Sequence, residues 1–217
     1  MKRRMLITSA VILLLIIVVL SASYGVIRYR RYLREVKIPE MRVEHLEELE
    51  GSLIESIPSW VDRQLVDING HGRTGMPLEA VRDIVIHYTG NPGTSAIQNR
   101  EFFNKPDTGV CSHFLVGLDG EVIQCIPLYE RSQASNNRNK DTISIEVCHP
   151  DSTGQFTDAT TEALVRLTAW LIKENDLDIS NVIRHYDITG KECPRFHVRN
   201  PEEWDTLLER ISSAVTE

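Results

Sequence analysis

The sequence predicts an α/β fold, a mixed central β-sheet flanked by helices, preceded by one transmembrane helix. Three observations predict it. Short apolar runs of strand length, DIVIHYT (83–89), TISIEVC (142–148) and NVIRHYDI (181–188), are interleaved with longer stretches of helical periodicity, the pattern of a sheet covered by helices. SHFLVGLDGEVIQCI (112–126) reads as two β-rich runs split by Asp119-Gly120, a hairpin turn whose two central positions are expected at positive φ. Residues 6–27 form a run of twenty-two residues without a charge, long enough to cross a bilayer as a helix.

In chain order, residues 1–5 are a short basic N-terminus with Lys2, Arg3 and Arg4, and 6–27 the apolar span. The span is read as an uncleaved signal anchor, because the apolar run continues past the small residues Ser21, Ala22 and Ser23; cleavage near Ser23 would instead give a secreted form. Residues 28–56 are a basic juxtamembrane segment and a stalk helix, in which Leu46, Leu49 and Leu53 recur at helical spacing among charges. Residues 57–217 form the remaining domain. Its first part, up to Pro77, is rich in turn formers and is expected as an irregular arm with a helical piece near Trp60 to Leu65. A strand follows at 83–89, then a helix at 95–104, the hairpin, and a strand at 142–148. The segment 157–175 places Leu164, Leu167 and Leu171 on one helical face. A short strand at 181–188 leads into a loop. The last helix is expected to start at Asn200 as N-cap, with Pro201 at its first position, Glu203 completing a capping box, and Leu207, Leu208 and Ile211 as its buried face.

Charge is segregated. Of 24 basic and 31 acidic residues, residues 1–37 hold eight basic and one acidic, leaving a net −14 on the rest. So acidic a domain excludes nucleic acid as the expected partner, and the basic run from Arg28 to Lys37 fits a membrane surface. Basic residues flank the span on both sides, so charge alone does not orient it. The four cysteines, Cys111, Cys125, Cys148 and Cys193, match no zinc-finger spacing. Two of the first three could pair in an oxidising compartment, and the sequence leaves that open.

His87 lies within an apolar strand, opposite in facing to Ile86. Alone it reads as a hydrogen-bonded core histidine, and Cys193 alone as a buried thiol. With His185 at a strand end they form a set of two imidazoles and one thiolate, which suits zinc and leaves a coordination position open for water.

IVIHYTGNPGTSA (84–96), TISIEVCHP (142–150) and RHYDITGKECP (184–194) together resemble motifs of the zinc-dependent N-acetylmuramoyl-L-alanine amidases, a family that also includes phage lysozyme-type amidases and peptidoglycan recognition proteins. The resemblance covers roughly 57–211, and RTGMPL (73–78) resembles the arm before the first strand in bacterial members. It implies an amidase-like fold and a hydrolase that attacks the amide between N-acetylmuramic acid and L-alanine of the stem peptide. It implies His87, His185 and Cys193 as zinc ligands, Glu146 as the catalytic acid–base and Lys191 as the donor to the oxyanion. Some branches carry a catalytic tyrosine before the histidine corresponding to His113; here that position is Ser112, so the tyrosine's role does not transfer. His113 is read as lining the cleft, and Asn136, Asn137 and Arg138 in the polar run 132–141 as substrate contacts. His149 is placed near the cleft mouth and His197 at the surface or in a supporting layer; His45 and His71 fall on the stalk and arm. The expected protein is a monomer, held at the plasma membrane by its N-terminal helix, with the domain outside, where peptidoglycan lies. Two other readings are a non-catalytic peptidoglycan sensor, which relatives lacking the third ligand exemplify, and a zinc peptidase cutting within the stem peptide.

Overall fold

Six strands build one sheet in the order β1-β4-β3-β5-β2-β6. They are β1 (Val61–Arg63), β2 (Asp83–Tyr88), β3 (Phe114–Val116), β4 (Val122–Gln124), β5 (Thr142–Val147) and β6 (Val182–Arg184). The computed structural model describes residues 57–68 and 72–216. The expected membrane span, the stalk helix and the two histidines His45 and His71 lie outside the described residues. Among the described residues no helix is long and apolar enough to cross a membrane. From Pro58 onward the chain forms one compact unit.

The sheet is mixed, as expected. Only β3 and β4 pair antiparallel; β1–β4, β3–β5, β5–β2 and β2–β6 are parallel. Central strands of a parallel sheet are covered on both faces, so they need apolar residues on both. Accordingly Ile84, Val85, Ile86, Ile143 and Ile145 are all fully buried. The register pairs Ile84 with Ile143 and Ile86 with Ile145, and on the opposite face Val85 with Ser144 and His87 with Glu146.

One helix covers the face that carries His87. This is α1 (Ala96–Phe103), opened by a capping box in which Ser95 accepts from the Gln98 N–H and the Gln98 side chain accepts from the Ser95 N–H. Its Ala96 and Phe103 join one buried cluster with Leu115, Ile123, Cys125, Ile126 and Cys148. The long helix α2 (Asp158–Glu174) buries Leu164, Leu167 and Leu171, the face read from its periodicity, and its Trp170 meets Phe114 of β3 edge-on. The short helices α3 (His185–Thr189) and α4 (Arg195–Arg199) follow β6, and α5 (Pro201–Thr216) packs on α2.

Four local expectations are corrected. Residues 61–63 are strand β1, not helix: Val61 points inward while Asp62 and Arg63 are exposed, and the segment pairs in parallel with β4. The hairpin turn is closed by the Gly120 N–H on the Gly117 carbonyl, and only Gly120 is left-handed, at φ 84°. Asp119 therefore does not need positive φ, while a Cβ at Gly120 would sit 2.9 Å from the Ala159 carbonyl. The strand expected over 181–188 stops at Arg184 and residues 185–189 are helical, because the Asp187 carboxylate accepts from the Arg184 N–H and Gly190 ends the helix in the left-handed region. The last helix does start at Pro201, with the Asn200 carbonyl accepting from the Glu203 and Trp204 N–H groups, but its buried face is Trp204, Leu207 and Ile211, and Leu208 is only half-buried.

Candidate metal and catalytic site

Parallel pairing aligns the carboxyl ends of β5, β2 and β6, the end where open α/β sheets place their sites. His87 is the fifth residue of β2 and Glu146 the fifth of β5, and the two are register partners. Because Ile86 pairs with Arg184, His185, the first residue of α3, comes level with His87. Their rings lie 4.6 Å apart between centroids, inclined at 55°. Cys193 returns from the chain after α3 to bring its Sγ 3.9 Å from His87 Nδ1. The ligating atoms of His87, His185 and Cys193 all lie within 4.8 Å of one another, and all three residues are buried.

The remaining hydrogen bonds indicate which nitrogens face inward. His185 Nε2–H donates to Asn136 Oδ1 at 2.9 Å, while His185 Nδ1 is buried without a partner. His87 Nε2 lies 3.4 Å from Ser135 Oγ. Each imidazole thus has one nitrogen beside a protein oxygen; the other nitrogen of His87 faces the Cys193 thiol, and the other nitrogen of His185 has no protein partner. A buried nitrogen with no partner is costly unless something fills its place, and two imidazoles with a thiol make a donor set suited to zinc. The residues therefore fit the ion.

Electrostatics agree with a site that waits for a cation. Burial pushes the His87 pKa well below its ordinary value, aided by His185 and Lys191, and burial then Lys191 lower that of His185, so both rings are held neutral, the ligating form. Burial, with the nearby Glu146 charge, pushes the Cys193 thiol up to about 12, opposed by the Tyr88 N–H and Lys191. A bound dication would displace that proton. Glu146 Oε2 is buried with no partner, although part of the residue stays open to the cleft. Burial raises its pKa to about 8, against the pull of Lys191.

These groups line a cleft of about 320 Å³ that includes His87, Glu146, His185 and Lys191 as well as Phe103, Val110, Cys111, Asn136 and Asn139. Five of the nine expected site residues, His87, Glu146, His185, Lys191 and Asn136, therefore line one cleft, and Cys193 lies beside the two imidazoles. The other three expected substrate contacts do not. His113 is fully buried and off the cleft lining: its Nε2–H donates to the Glu130 carbonyl and its Nδ1 accepts from the Ser144 N–H. Asn137 is not on the cleft lining, and Arg138 turns to Asp83 and Asp141. His149 is buried against the Tyr88 ring rather than at the cleft mouth, and His197 is packed between Phe156 and Trp204 rather than exposed. All four cysteines are free thiols.

Sequence reasoning passed over Ser135, Asn139 and Cys111 as site neighbours. The run 132–141 read as a polar connecting loop, but no periodicity says that a loop's side chain reaches a histidine 49 residues away.

The comparisons with known proteins point the same way. The family described as N-acetylmuramoyl-L-alanine amidase matches residues 77–196, more than half of the chain. The chain is similar to N-acetylmuramoyl-L-alanine amidase CwlL of Bacillus licheniformis, at 29% identity over 174 residues, covering 70% of this chain and 47% of that protein. It is similar to N-acetylmuramoyl-L-alanine amidase BlyA of Bacillus subtilis (strain 168), at 30% identity over 172 residues, covering 70% and 46%. It spans about half the length of these curated relatives. Among solved structures, a mutant endolysin from Bacillus subtilis aligns with a TM-score of 0.61 at 27% identity, over 70% of this chain and 97% of that one. With His87, Glu146, His185 and Cys193 gathered at one end of a mixed sheet and the family match spanning all of them but the helix that follows, the chain belongs to the N-acetylmuramoyl-L-alanine amidase family.

Proposed function

We propose that this protein is a zinc-dependent peptidoglycan hydrolase that cleaves the amide between the lactyl group of N-acetylmuramic acid and L-alanine of the stem peptide. The observation that carries the reading is the convergence of the His87, His185 and Cys193 ligand atoms within 4.8 Å beside a buried, unpartnered carboxylate oxygen of Glu146. A zinc ion held by those three residues would supply Lewis acidity to the carbonyl and acidify the attacking water.

The protein's own groups do the rest. The charge of a bound ion would draw the Glu146 pKa down from its raised metal-free value, leaving the carboxylate to take the proton of the attacking water and hand it to the leaving amine of alanine. Lys191 lines the same cleft, and its ammonium is placed to offset the negative charge that develops on the carbonyl oxygen. The cleft walls hold the polymer so that the scissile amide meets these groups. The chargeless run 6–27 and its basic flanks support a single-pass tether at the plasma membrane, with the domain on the side where peptidoglycan lies.

Digestion of purified sacculi, read by mass spectrometry, tests the reaction. Zinc-loaded protein releases stem peptides with a free L-alanine amino terminus and leaves lactyl-muramic glycan chains. Glu146→Ala retains zinc and slows release by about 10²- to 10⁴-fold. Peptides cut internally would identify a peptidase instead, and zinc-loaded wild-type protein that released nothing would remove the enzymatic reading altogether.

A further inference from the structure

We infer that the loop 132–141 is a clamp on the two metal-binding imidazoles, with Asn136 as the positioning residue that selects the ligating nitrogen of His185. The inference rests on the reading of His87, His185 and Cys193 as zinc ligands, and it reassigns to metal positioning a segment whose polar side chains suggest contacts with substrate.

An imidazole ligates through one nitrogen, and the hydrogen bond made by the other nitrogen fixes the tautomer and the ring plane. Here both second bonds come from adjacent residues of one loop. Asn136 Oδ1 accepts from His185 Nε2–H at 2.9 Å, and Ser135 Oγ, fully buried, lies 3.4 Å from His87 Nε2. An amide oxygen can only accept, so the His185 proton is held on Nε2. The lone pair then sits on Nδ1, the buried nitrogen with no protein partner.

Asn136 reaches His185 from a backbone at φ 55°, left-handed for a non-glycine residue; among the described residues Asp176 is the one other such case. Strained backbone of this kind persists where its surroundings enforce it. The enforcement is visible. Asn139 Oδ1 accepts from the Ala134 and Ser135 N–H groups at 3.1 and 2.6 Å, closing the loop on itself. Arg138 binds Asp83, the first residue of β2, and Asp141, just before β5. The strand that delivers His87 at its far end is thus tied at its near end to the loop that orients both rings. This accounts for Arg138, which takes no part in the cleft.

Zinc affinity, measured by competition with a chromophoric chelator, separates the acceptor from the backbone. Asn136→Gly keeps the left-handed conformation open and removes the acceptor; it is expected to bind zinc about 10- to 100-fold more weakly, while the midpoint of the metal-free protein does not fall. Asn136→Asp restores an acceptor and binds zinc at least as tightly as wild type. Nitrogen NMR of labelled histidine in the metal-free protein shows the Nε2–H form at His185, and that preference disappears in N136G. Wild-type affinity in N136G, or equal losses in N136G and N136D, would overturn the clamp while leaving the zinc site in place. Wild-type protein that takes up no zinc, or Cys193→Ser that keeps wild-type affinity, would overturn the zinc reading and the clamp together.

Discussion

A neutral imidazole is built into the α1 face of the sheet at His113. Its Nε2–H donates to the Glu130 carbonyl and its Nδ1 accepts from the Ser144 N–H, so both nitrogens are satisfied only in the uncharged form; a proton on Nδ1 would point at another donor. Burial lowers its pKa to about 4, with the Glu130 carbonyl opposing, and burial likewise takes His197 to about 4, with Arg184 adding to the shift. An unfolded histidine titrates near 6.5. Both groups are therefore depressed on folding, and the stability they contribute is complete above about pH 6.5 and lost as the pH falls toward 4. Each shift corresponds to about 3 kcal/mol at the acid end of that window. Chemical denaturation between pH 7 and pH 4 should show stability falling with acid, and His113→Gln should flatten that slope. A slope unchanged by the substitution would mean that His113 does not sense the acid limb.

The arm before β2 is held by one buried ion pair. Arg73 meets both carboxylate oxygens of Glu130, at 2.6 and 2.8 Å, and donates to the Val66 carbonyl. Hydrogen bonding to Glu130 raises the Arg73 pKa despite burial, so the pair stays charged. Around it the arm runs beside the sheet edge: Gln64 and Val66 donate to the Gln124 and Cys125 carbonyls, and Arg100 of α1 reaches the Gln64 and Leu65 carbonyls. Removing the arginine strands a buried carboxylate. Arg73→Ala should therefore cost about 3–5 kcal/mol, whereas replacing both partners by apolar residues of similar volume should cost far less. Urea denaturation of the single and double variants measures this; a single-variant loss below about 1 kcal/mol would show that the pair does not hold the arm.

The candidate metal site joins parts of the molecule that are distant in the chain. His87 and Cys193 are 106 residues apart, and β2, α3 and the segment before α4 each supply one of the three candidate ligands. An ion bound only by the folded arrangement stabilises the whole domain by mass action. Zinc at a thousandfold excess over its dissociation constant should add about 4 kcal/mol, or on the order of 10 °C in the unfolding midpoint of a domain this size. Chelation should reverse the shift, and Cys193→Ser should abolish it. Differential scanning fluorimetry with and without zinc reads both; a wild-type midpoint indifferent to zinc would count against the site.

Local periodicity and the order of the segments were enough to determine the α/β class, the mixed sheet and the buried stripe of Leu164, Leu167 and Leu171, because side-chain facing along a strand or helix follows from its repeat. Residue type and motif named His87, Glu146, His185, Lys191 and Cys193, and all five line or adjoin one cleft. What residue type alone misjudged were polar side chains whose partners lie far off in sequence. His113 and Asn136 looked alike as cleft polar groups, yet one is buried with both ring nitrogens bonded to backbone and the other accepts from His185 at the cleft. Arg138, placed with the substrate contacts, instead ties the loop to β2. Strand β1 was hidden for the same reason: three residues carry no usable period, and only their pairing with β4 makes them a strand. Such roles depend on which hydrogen-bond partner a fold brings within about 3 Å, and that is fixed by strand order and register rather than by any stretch of the chain read alone.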